Sequence, residues 1–87
     1  MTEQMELAAR MLEWLSRDAG RLRQFMALTG YAPDDMMRDI ESPALLRAAM
    51  EHLMADEALL LQFCADTGTP PQDCAHALQR LQAGEIS

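Results

Sequence analysis

The chain has 87 residues, enough for one domain, and 49% of them are apolar, which fits a globular protein and argues against disorder. Its formal charge of −7 repels phosphate, so nucleic acid and anionic membranes are poor partners, while a basic protein surface stays open. Residues 1–10 place Glu3, Glu6 and Arg10 where a secretory signal needs an apolar run, and no apolar stretch is as long as a membrane span. Two cysteines in such a chain read as cytosolic thiols, so the expected location is cytoplasmic.

Strand formers are scarce: there is no valine and there are two isoleucines, while Ala, Leu, Met, Glu, Gln and Arg dominate. The spacing predicts about six helices. The first covers 3–16, with Leu7, Met11, Trp14 and Leu15 on one stripe. Asp18 caps a second, which Gly30 ends, with Leu22, Phe25, Met26 and Thr29 on its face. Pro33 opens a third, followed by Asp34 and Asp35 against the positive helix end. Ser42 caps and Pro43 opens a fourth to about Met54. Asp56 caps a fifth, ended by Gly68. Thr69-Pro70-Pro71-Gln72 has the form of a capping box opening a sixth to about Gln82, leaving 83–87 as a frayed tail.

Halfway along, the chain repeats itself. Gln24, Phe25, Ala27, Thr29, Gly30, Pro33 and Asp35 match Gln62, Phe63, Ala65, Thr67, Gly68, Pro71 and Asp73 at a constant offset of 38 residues. Leu15, Asp18 and Leu22 match Leu53, Asp56 and Leu60 at the same offset. The expected fold is therefore an all-α bundle of two three-helix repeats, about 3–40 and 41–82, forming a single helical domain over 1–87. Short connections fold neighbouring helices back on each other, and one pair of units is too few for a solenoid, so the two share a core.

Positions that agree between the copies are core or caps; positions that disagree carry more information. Arg21 and Arg23 become Leu59 and Leu61, and Ser16 becomes Met54. At about 100° per residue, Leu59 and Leu61 fall on opposite sides of Leu60, so the fifth helix is apolar around most of its circumference. Such a helix is either central or covered by another chain. Leu28 and Tyr31 oppose Asp66 and Thr69 and form a smaller apolar edge. The candidate interface is thus Met54, Leu59, Leu61, Leu28 and Tyr31, with a protein partner or a second copy as the occupant. A second version uses the acidic residues Asp34, Asp35, Asp39 and Glu41 against a basic partner. The eight methionines suit core filling or an adaptable groove.

Signs of chemistry are few. Cys64, Cys74, His52 and His76 are the soft ligands, and Cys74 and His76 point apart on a helix, so no metal site is expected. Cys64 aligns with Met26 and Cys74 with Met36, as packed apolar residues would. His52 aligns with Trp14, a place for a large ring rather than a base. No nucleophile with a base and no phosphate-cradling glycine loop is present, so neither a catalytic activity nor a cofactor is expected. The alternative is a small enzyme or thiol-based sensor using Cys64 and Cys74.

Two resemblances bear on this. Phe25-Met26-Ala27-Leu28-Thr29-Gly30 with Pro33, and more strongly the block from Met54-Ala55-Asp56-Glu57-Ala58-Leu59-Leu60-Leu61 to Gln62-Phe63-Cys64-Ala65-Asp66-Thr67-Gly68, resemble a family of small uncharacterised bacterial helical proteins, a domain of unknown function. The likeness spans nearly the full chain and implies no activity. Residues 63–81, with Thr67-Gly68, Asp73-Cys74 and Ala77-Leu78, are similar to the ubiquitin-associated-like module of elongation factor Ts, but Ala75-His76 stand where that module has basic residues. That likeness implies a three-helix unit that binds protein. The expected function is a small interaction or adaptor module without catalytic activity.

Overall fold

The structure, a computed structural model, describes residues 3–38 and 42–83. These residues form α1 (Glu3–Ser16), α2 (Ala19–Thr29), α3 (Pro33–Arg38), α4 (Pro43–Met54), α5 (Glu57–Thr67) and α6 (Pro71–Gln82), with no strand among them. The fold is all-α, as the residue content predicts. Asp39 and Glu41 of the acidic patch and residues 84–87 of the expected tail lie outside the described residues.

Local chemistry explains the helix boundaries. Asp18 accepts hydrogen bonds from the Gly20 and Arg21 amides at 2.8 and 3.1 Å, and Asp56 accepts one from the Leu59 amide at 3.1 Å. Gly30 and Gly68 end α2 and α5 in the left-handed region, at φ 81° and 72°. Thr29 and Thr67, each the last residue of its helix, donate their hydroxyls to the Phe25 and Phe63 carbonyls, both at 2.7 Å. Two expected caps differ. Ser42 precedes α4, but its side chain makes no capping bond; Pro43, which has no amide to satisfy, takes the first helical position. Thr69 does not cap α6, because the helix begins at Pro71, one residue too late. Its hydroxyl instead lies 2.8 Å from that of Thr67, buried in the α5–α6 turn.

All six helices feed one hydrophobic core. Leu7, Ala8, Met11, Leu12, Trp14 and Leu15 of α1 meet Leu45, Leu46, Ala49, Met50 and Leu53 of α4 at its centre. The most extensive junction joins these two helices, one from each sequence copy. Around it, α2 lies on α1 and α4, α5 on α4 and α6, and α6 on α1 and α4. A radius of gyration of 12.0 Å is that of a compact chain of this length. The helix boundaries recur at the sequence offset, yet the packing does not divide along the copies. The short α3 inserts Met36 into the core, while the twice-longer α6 runs against both central helices.

Candidate protein-binding face

Two ring pairs close the core, and they correspond to each other. Trp14 meets the edge of Phe63 with centroids 5.6 Å apart and planes at 78°. His52 meets Phe25 at 5.3 Å and 76°. The 38-residue offset takes Trp14 to His52 and Phe63 back to Phe25, so each pair is the counterpart of the other. Edge-on packing of this kind is favourable beyond the area it buries.

The surroundings of the two pairs differ. On the tryptophan side, Nε1 of Trp14 donates to Oδ2 of Asp66 at 2.9 Å, and the Arg21 guanidinium lies 3.9 Å from the ring centroid. The indole is therefore hydrogen-bonded at its edge and covered on its face by a cation. On the histidine side, Leu28 stands at the position of Asp66 and Leu59 at that of Arg21. Nε2 of His52 is buried without a hydrogen-bond partner. Desolvation holds the imidazole below its ordinary pKa, against the opposing pull of Asp56. Tyr31 completes this side by stacking on Phe25, at 6.4 Å and nearly parallel.

One ring pair thus carries a polar latch; at the other, the apolar pole, Tyr31 and His52 pack on Phe25, and Leu28 and Leu59 stand at the positions that correspond to Asp66 and Arg21. Leu28 is 70% exposed. Tyr31, Leu59 and Met54 are half-buried and packed against the core. Leu61 points outward, 49% exposed, so the two leucines flanking Leu60 part ways. Helix α5 is not central; it buries Leu60, Phe63 and Cys64 and leaves Leu61 in solvent. Met37, on α3, is 79% exposed and escaped the sequence reasoning, because its neighbour Met36 is the one that faces inward. A comparison of the copies does not find Met37, since its counterpart Ala75 is small.

The two cysteines come together, as neither spacing nor periodicity indicates. Both are buried free thiols. Burial, the neighbouring Cys64 and its hydrogen bond push the Cys74 thiol up to about 12. A thiol held so far from ionising is a poor nucleophile. His76 lies on the exposed side of α6, away from Cys74. No group of three or more His, Cys, Asp or Glu among the described residues could hold a metal ion.

Sequence reasoning also missed a cleft of about 350 Å³ between α1 and α6. Leu7 and Ala77 contribute apolar surface to it, and Glu6, Asp73, Arg10 and Arg80 line it with both signs of charge. With cations and carboxylates side by side, it favours no ligand of a single sign. No helix among the described residues is long and apolar enough to cross a membrane.

The described residues define a small all-α protein. The model of the family described as a protein of unknown function (DUF3572) matches residues 2–84, and the chain belongs to that family. No curated protein and no solved structure matches it. The likeness of 63–81 to the module of elongation factor Ts thus rests on its residues alone.

Proposed function

We propose that the chain is a protein-interaction module that works without catalysis of its own and docks a partner on the apolar pole around Leu28, Tyr31 and Leu59. The observation that carries this reading is the asymmetry of corresponding positions. Where one pole closes its ring pair with Asp66 and Arg21, the other leaves a buried imidazole nitrogen unpaired and has leucine at the two corresponding positions. An exposed leucine alone is ordinary. An exposed leucine in place of the residue that closes the same structure elsewhere in the chain is a position given over to something else.

Leu61 and Met37 extend the exposed apolar surface of α5 and α3. Cytoplasmic location fits two free thiols. The sensor alternative is less well supported, because the thiols are buried and Cys74 resists ionisation.

The test is a Leu28→Asp, Leu61→Arg variant. Both residues are exposed, and the aspartate supplies the carboxylate that Asp66 supplies at the other pole, so the fold should persist with an unchanged circular dichroism spectrum. Wild-type protein is expected to associate, either as a dimer in light scattering or as a cross-linked complex with a partner, and the variant is expected to lose that association. A folded variant that associates like the wild type would end the proposal.

A further inference from the structure

The apolar pole has an acidic border, and this points to the chemistry of its occupant. Asp34 and Asp35 sit in the first turn of α3, immediately after Tyr31 and Ala32. Oδ2 of Asp35 accepts from the Ala32 amide at 3.3 Å, which keeps its carboxylate against this turn. On the other side, Asp56 caps α5 with its oxygen on the Leu59 amide, and its charge reaches His52. Glu57 follows it, exposed. Four carboxylates therefore lie next in the chain to the residues of the cluster.

Arg38 already pairs with Asp35, so Asp34, Asp56 and Glu57 carry the remaining charge of this border, and Arg17 pairs with Glu13 at 2.6 Å. Arg21, whose counterpart is Leu59, lies over Trp14. A second copy would set one acidic border against another, with a formal charge of −7 on each chain. Charge complementarity selects a different occupant.

We infer that the Leu28–Tyr31–Leu59 pole receives a basic amphipathic helix of another protein, its apolar anchors on the leucines and Tyr31 and its Lys or Arg side chains against Asp34, Asp56 and Glu57. This rests on the docking reading above. A helix fits a small apolar centre because its i, i+3 and i+4 side chains converge on one such patch. The border acids steer it and set its salt dependence.

The experiment titrates isotope-labelled full-length protein with three synthetic helical peptides of about 18 residues. They share one leucine face and differ in their flanks, which are Lys/Arg, Gln or Glu. The Lys/Arg peptide is expected to shift the amide resonances of Leu28, Tyr31, His52 and Leu59, to bind about tenfold more tightly than the Gln peptide, and to weaken with added salt. An Asp34→Asn, Glu57→Gln variant, altered at exposed carboxylates only, is expected to lose several-fold in affinity for the basic peptide and none for the Gln peptide. Equal binding of all three peptides at these residues would overturn the basic partner and leave the docking pole standing. A concentration-dependent dimer whose resonances no peptide perturbs would make a second copy the occupant and overturn the inference. A monomer that no peptide perturbs would overturn both.

Discussion

His52 shows how much one residue's neighbours decide. It occupies the place of Trp14, packs its ring as Trp14 does, and lacks the partner that Trp14 has. A ring nitrogen kept from water disfavours the imidazolium, so burial lowers its pKa from the usual 6.5. A group whose folded pKa is depressed adds stability above its unfolded pKa, and that contribution is lost as pH falls through the folded value. Thermal unfolding followed from pH 7 to about pH 5 should show a falling midpoint for the wild type. In His52→Phe, which keeps the ring and removes the titration, the curve over this window should be flatter. Asp18 contributes a separate, more acidic loss, because the Arg21 and Gly20 amides hold its carboxyl below 3.8. The thiols give a second residue-scale expectation. With both cysteines buried and Cys74 pushed to about 12, a thiol reagent should label the native protein slowly and the urea-unfolded protein at once. Fast native labelling at Cys74 would return the sensor reading to favour.

At the scale of elements, the stops matter more than the propensities. Gly30 sits at φ 81° with nothing within 4 Å of where a Cβ would be. A side chain there meets no neighbour and suffers only from the left-handed backbone. Gly30→Ala should therefore cost about 1–2 kcal/mol in urea unfolding, with the helix content of the folded state unchanged. A much larger loss would mean that the α2–α3 turn itself rearranges. The two unmade caps, at Ser42 and Thr69, show the opposite case. In both, proline takes the first helical position, where its missing amide leaves no donor to satisfy. Thr69 spends its hydroxyl on Thr67 and is buried.

The whole molecule is held together across its middle. The core joins α1 to α4, and each sequence copy contributes one of these helices. Neither half has its own second layer, and a chain of some forty residues buries too little surface to fold alone. We expect a fragment of residues 1–40 to be largely unfolded by circular dichroism, and helix to return when it is mixed with residues 41–87. A fragment that is fully helical and cooperative alone would show that the copies are independent units.

The sequence by itself determined the helices, their ends and the inward residues, because these follow from short-range rules. Proline geometry, glycine at positive φ, Asp caps and the 3.6-residue stripe act within a few residues. Phe25 and Phe63, and Asp18 and Asp56, are legible at once because they occur twice. The difference between Arg21 and Leu59 was equally legible. Its meaning was not, because Arg21 serves a tryptophan on another helix and no local rule pairs residue 14 with residue 66. Only the tertiary structure decided that Leu59 turns toward the core and Leu61 toward solvent, that Cys64 and Cys74 touch, and that His52 is left without a partner. Each of these depends on which helix packs against which face, and that choice is made by the shared core and not by any one segment.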